Sequence, residues 1–288
     1  MSIAPDMLFH MGGVPVGGPL IPTSAKVYFV DAKNGSDGSQ GRRADNALAT
    51  IAAAITKVNA NISWSASPWA QRDVIYIMPG TYAENITSMP YGAVMIGAGY
   101  DVRDAQTGVK IKPASGDAVD CSSVINTEIY NMGFESVDTA AAFDADSVNN
   151  CLFDNCFFTG PAELTTSVYG FITSDLTKTT FRNCWAANAD NGFYFNYTDG
   201  GDKVAYLLME GCVITGCSAT GIYTHINLVG PHSQVRHCTI TGAGQTTTIG
   251  IDDNAGVLDE MFNAIEATTA VSGVRSSNGS YGNGTLLT

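Results

Sequence analysis

Cysteine recurs in this chain at a nearly fixed interval, and that interval limits the possible folds more than any other feature. Cys156 and Cys184 lie 28 residues apart, Cys184 and Cys212 another 28, Cys212 and Cys238 26, and a further 25 residues reach Asn263. The surroundings repeat as well: Asn155-Cys156-Phe157-Phe158, Asn183-Cys184-Trp185, Gly211-Cys212-Val213-Ile214, His237-Cys238-Thr239-Ile240 and Phe262-Asn263-Ala264-Ile265. A second short apolar run in each copy opens with glycine, at Gly170, Gly192, Gly221, Gly250 and Gly273. Short β-type runs, polar corners and a period near 25 residues describe the coils of a parallel β-helix, stacked about 4.8 Å apart. Equivalent positions then form ladders. Cysteine, small and apolar, suits a buried ladder, and asparagine suits one whose amides bond the copies above and below. Cys156, Cys184, Cys212, Cys238 and Asn263 are therefore assigned to a core ladder of reduced thiols closed by an amide. Seven cysteines, an odd number, with no Cys-x-x-Cys and only four histidines, argue against a disulfide framework and against zinc. No cofactor or metal is expected.

A helical solenoid would need amphipathic segments of ten or more residues with a 3.6-residue period. One segment qualifies, Asn46 to Asn59, with Leu48, Ile51, Ala52, Ile55 and Val58 on one face and Asp45 or Asn46 as the N-cap. A single helix ahead of a run of coils is what the open apolar end of a β-helix requires as a cover. The pieces Val27–Val30, Gly35–Gly38, Ala49–Ile55 and Asp73–Asn85 resemble the entry segment of the pectin-lyase-like superfamily: a strand, a Gly-Ser-Asp-Gly turn, a capping helix and a first coil. The resemblance implies an all-β, right-handed, single-stranded parallel β-helix with an N-terminal capping α-helix and an extended N-terminal arm. It says little about activity, because that superfamily holds lyases, hydrolases, adhesins and virion proteins. Four segments are expected: a docking arm at 1–25, an entry strand and capping helix at 26–72, the β-helix at 73–275 with about eight coils, and a tail at 276–288.

The arm is rich in glycine and proline, and its apolar side chains have no coil to pack in: Met7, Leu8, Phe9, Met11, Val14, Val16, Leu20 and Ile21. Such a segment suits docking on a neighbour. Charge narrows the partners. Fourteen Lys and Arg against 27 Asp and Glu give −13, which disfavours nucleic acid and anionic lipid. No run approaches the roughly 18 consecutive apolar residues of a membrane span. The first residues lack the basic and apolar regions of a secretion signal. The combination resembles head-decoration and tailspike-type proteins of tailed bacteriophages. It implies a non-enzymatic, homotrimeric protein on the virion surface, assembled in the host cytoplasm and attached to the major capsid protein or another virion component. The alternative is a protein of the same fold that binds or degrades a polysaccharide such as a host-surface glycan, acting as a lyase or glycoside hydrolase if it is an enzyme.

Catalysis in that superfamily uses grouped carboxylates. Asp252-Asp253, Asp144-x-Asp146, Asp199 with Asp202, and Asp259-Glu260 are the candidates, with Asp252 and Asp253 named as the weak catalytic pair. The polygalacturonase pattern places Gly-His-Gly and Arg-x-Lys after its Asp pair, whereas here His232 and Arg236-His237 lie before it. Asx turns at solvated corners account for paired aspartates without catalysis. Asp31, Asn34, Ser36 and Asp37 lie in a glycine-rich loop that fails the EF-hand pattern and reads as a turn. Trp64, Trp69, Tyr194, Tyr197 and Tyr223 suit a subunit interface or a sugar platform.

Overall fold

The computed structural model describes residues 10–11, 14–15, 25–61, 72–99, 101–104, 106–137, 140–161, 168–196, 204–224, 233–241, 249–253, 258–267, 269–272, 276–278, 281–282 and 285–286. They form a parallel β-helix, as the repeat predicts. Three sheets of ten, ten and eight strands run along the solenoid, and from Val119 to Gly282 each turn adds one strand to each sheet. The first sheet starts at Val27–Val30 and includes Glu128–Tyr130, Leu152–Asp154, Thr180–Arg182, Leu208–Glu210 and Ser233–Arg236. The second includes Met132–Glu135, Phe157–Thr159, Trp185–Ala187, Val213–Thr215 and Thr239–Thr241. The third includes Val119–Ile125, Ala141–Asn149, Tyr169–Thr177, Asn191–Phe195, Thr220–Thr224 and Ile249–Asp253.

The register places like on like. Phe153 pairs with Phe181, Phe134 with Phe158, and Phe143 with Phe171. Along each sheet these rings stack face to face: Phe153–Phe181 at 4.9 Å and 9°, Phe134–Phe158 at 5.4 Å and 10°. Between sheets they meet edge to face, as Phe143 and Phe153 do at 5.4 Å and 90°. Both geometries suit the ring quadrupole, and all six side chains are fully buried. The glycines that open the third-sheet runs at Gly170, Gly192 and Gly221 have a packing reason. A Cβ on Gly192 would sit 2.7 Å from the Gly221 carbonyl oxygen and 2.8 Å from Ile214 Cγ2, so the coils close up only without one.

The cysteines lie at a corner. Between the first and second sheets, Asn131, Asn155, Asn183, Gly211, His237 and Phe262 each adopt the left-handed conformation, with φ between 52° and 65°. The next residue then turns inward: Cys156, Cys184, Cys212, Cys238 and Asn263 are at most 1% exposed. Each of the first four lends its carbonyl to the next turn, from Trp185 N→Cys156 O to Ala264 N→Cys238 O. The thiols of Cys156, Cys184 and Cys212 point at the carbonyls of Ile129, Phe153 and Phe181 at 3.3–3.5 Å. Asn263 ends the column, accepting the Cys238 N–H at 2.8 Å and donating to Val235 O at 2.9 Å. All seven cysteines are free and buried. Asparagine precedes cysteine in the early turns because it tolerates the left-handed region better than other side chains, and Asn155 Nδ2 bonds Asn131 Oδ1 at 2.8 Å along the outside of the corner.

The capping helix spans Ile51–Asn61, shorter at its start than the sequence reading, with a 3-10 turn at Ala44–Asn46 before it. Its start is capped from elsewhere. Glu84 accepts the N–H groups of Ile51 and Ala52 at 2.9 Å, and Asp37 accepts those of Ala49 and Thr50. Those bonds satisfy donors that Asp45 or Asn46 would serve in a helix beginning at Asn46. Ala54 joins Ile51, Ile55 and Val58 on the buried face, while Ala52 is exposed. At the other end, Ser276–Asn278 and Tyr281–Gly282 extend the first and second sheets in parallel, and Thr285–Leu286 turns back antiparallel on Tyr281–Gly282. Strands therefore continue past Arg275 into the segment that the sequence reading sets apart as a tail. Within the arm, His10–Met11 pairs antiparallel with Val14–Pro15. Met7, Leu8, Phe9, Val16, Leu20 and Ile21 lie outside the described residues.

Candidate functional site

A second ladder of left-handed residues marks the corner where the third sheet passes to the first: Asn126, Asn150, Lys178 and Tyr206, with φ between 49° and 57°. The residue after each is buried: Thr127, Cys151, Thr179 and Leu207. The next residue faces out from the first sheet, giving the in-register row Glu128, Leu152, Thr180 and Leu208, and a parallel row follows at Tyr130, Asp154, Arg182 and Glu210. The first row, with Asn126, Asn150, Lys178, Arg182 and Glu210, lines an open groove of about 580 Å³ that crosses several turns, with Arg72 and Tyr91 at its first turns.

Its walls mix apolar surface with polar side chains bonded to one another. Asn126 donates to the Tyr91 hydroxyl at 3.3 Å, and Asn150 donates to Asn126 Oδ1 at 2.7 Å, so amides run in line down one side. Ion pairs hold most of its charges: Arg72 with Glu128, Arg182 with Asp154 at 2.5 Å, and Arg236 with Glu210 at 3.0 Å. Tyr130 donates to Glu128 at 2.8 Å. Burial, helped by that carboxylate, raises the Tyr130 phenol well above its ordinary value. Lys178 is exposed and makes no salt bridge among the described residues. Sequence reasoning did not find the groove. Its signal was a second spacing, 24, 28 and 28 residues between Asn126, Asn150, Lys178 and Tyr206, hidden because only backbone conformation, not residue type, repeats there.

The outer face of the third sheet is different. Its described strands carry Asp120, Asp144, Asp146, Asp175, Asp252 and Asp253 and no Lys or Arg. Asp120 and Asp144 are register partners, and Tyr194, Tyr223 and Asp252 follow in line on later turns. Burial and the carboxylates of Asp117, Asp120 and Asp146 push Asp144 up to about 6. Adjacent carboxyl groups whose surroundings raise one of them are the kind of pairing used in acid–base chemistry. Tyr194 stacks on Tyr223 at 4.5 Å and 6°, and meets Tyr169 at 4.9 Å with the rings tilted by 48°. The ring faces are spent on each other, so the row is not a flat platform for sugar.

The other sequence candidates have separate places. Asp252 and Asp253 do not form a pair: successive strand residues face opposite ways, and Asp253 is fully buried, accepting the Leu258 N–H at 2.7 Å. Asp259 is half-buried, and only the backbone of Glu260 is described. Asp199, Asp202, Tyr197, Trp64 and Trp69 lie outside the described residues. Asp31 accepts the N–H groups of Lys33 and Asn34, a turn role. No group of three or more His, Cys, Asp or Glu among the described residues is arranged to hold a metal ion.

Residues 98–279 match the family described as right handed beta helix region. The chain belongs to the right-handed β-helix family. Among solved structures, this β-helix protein is similar to the pectin methylesterase from Aspergillus niger, in a penultimately deglycosylated form. The similarity has a TM-score of 0.44 and 14% identity and covers 91% of this chain and 87% of that one. No curated protein matches the β-helix chain by sequence.

Proposed function

We propose that this protein binds a linear polysaccharide along the groove between the third and first sheets. The carrying observation is the fit of the lining to a sugar chain. Leu152 and Leu208 offer apolar contact for C–H faces, and the amides of Asn126 and Asn150 offer donors and acceptors for hydroxyls. The amides stand on adjacent turns, about 4.8 Å apart, and the leucines two turns apart, about 9.6 Å, so a chain lying along the groove meets apolar and hydrogen-bonding contacts in alternation. Affinity electrophoresis against neutral and charged polysaccharides tests this. The wild-type protein should be retarded by at least one, and Asn150→Ala should weaken that binding about tenfold, the worth of one well-made hydrogen bond. Unretarded wild-type protein with every polymer would remove the proposal.

The finer reading places this glycan binder on the surface of a tailed-phage particle, as a homotrimer of the decoration or tailspike type attached through residues 1–25 to the major capsid protein or another virion protein. Two features support it. The arm carries eight apolar side chains in a glycine- and proline-rich segment, and Tyr206 and Phe262 stand 52% and 55% exposed at two corners, where subunit packing would cover them. Sedimentation should then report a species three times the 30.2 kDa chain. A monomer at micromolar concentration would defeat this assembly.

A further inference from the structure

Lys178 stands out in the groove on three counts. It occupies the third step of a left-handed ladder whose first two steps are Asn126 and Asn150. Asparagine accepts that conformation readily, but lysine does not, so its presence there lowers stability. Its ammonium is exposed and makes no salt bridge among the described residues, whereas Arg72 and Arg182, the other cations in the lining, are each held by a carboxylate. It also lines the groove one turn beyond Asn150, where a ligand running along the amides would pass. A strained position filled by a side chain with no internal partner is explained by a partner from outside.

We propose that Lys178 is a specificity residue that pairs with an anionic substituent, carboxylate or sulfate, on the bound polysaccharide. This rests on the glycan reading above. The ammonium would meet the anion directly in a charge-assisted hydrogen bond, stronger than a neutral one. Arg182, already bonded to Asp154 through two nitrogens, would stay in its ion pair.

The test compares polymers of matched backbone: carboxymethyl-cellulose with hydroxyethyl-cellulose, and dextran sulfate with dextran. The wild-type protein should bind at least one charged member about tenfold more tightly than its neutral counterpart, and the pair that shows this tells carboxylate from sulfate. Lys178→Asn should bring that ratio to about one while raising Tm by about 2–4 °C, because it relieves the backbone. Lys178→Arg should retain the ratio. A preference that survives Lys178→Asn, or a wild-type protein that binds neutral and charged polymers alike, would overturn the assignment and leave the glycan reading standing. If the wild-type protein binds no polysaccharide, both fall.

Discussion

Replacing Cys212 by Asp is expected to leave the chain without a stable solenoid. The side chain is fully buried, its sulfur lies 3.5 Å from the Phe181 carbonyl, and the Cys184 thiol beside it, with burial, holds the thiol well above its ordinary value. A carboxylate there would face carbonyl oxygens and sulfur with no cation in reach, and an uncompensated buried charge costs several kcal/mol. Typical total stabilities are only about 5–15 kcal/mol. Cys212→Ser keeps a small donor for the same carbonyl and should cost far less. Circular dichroism and thermal melting of the two variants side by side measure the difference. A Cys212→Asp protein that melts within a few degrees of the wild type would contradict the placement of the ladder in the core.

Asp144→Asn should do the opposite, raising stability in a pH-dependent way. A carboxyl that titrates near 6 in the fold against 3.8 when unexposed to it binds more protons folded than unfolded between those values. Stability therefore declines as pH rises from about 4 to about 6 and stays lower above that range. Allowing for the partial exposure of the side chain, the effect is on the order of 2 kcal/mol. Asparagine keeps the shape without the charge. The variant should melt several degrees above the wild type at pH 8 and at the same temperature at pH 4. Equal melting at both would show that Asp117, Asp120 and Asp146 do not act on it as their positions imply.

These two sites show what the sequence displays and what it conceals. The cysteine column is legible because one inward corner position imposes the same size and polarity in turn after turn. The Phe153–Phe181 and Phe143–Phe171 stacks rest on the same repetition. Carboxylate pairing is not legible. Asp252 and Asp253 are adjacent in sequence but face opposite sides of a strand, while Asp120 and Asp144, 24 residues apart, are brought together by the register. The groove corner escapes notice because what repeats there is a backbone angle that Asn, Lys and Tyr all adopt. The final strands escape because Ser276–Leu286 is polar and glycine-rich, and such composition reads as turn whether or not a preceding coil offers an edge to pair with. The helix start is misplaced because its cap comes from Asp37 and Glu84, both far in sequence from the residues next to it.

From Asp154 to Ile265 the step from the first sheet to the second takes two residues in every turn, one left-handed and one buried. Differences in coil length therefore collect at the edges of the third sheet, where nine residues separate Thr159 from Tyr169 but only three separate Ala187 from Asn191. The solenoid thus has a spine intolerant of insertion and a rim that tolerates it. One residue added between Asn183 and Cys184 would turn the inward side chain outward and put every later turn out of step. A peptide added between Thr159 and Tyr169 would leave the two-residue step untouched. Epitopes, cleavage sites or new termini belong on that rim, and divergence between related chains should concentrate there while the two-residue spine keeps its length.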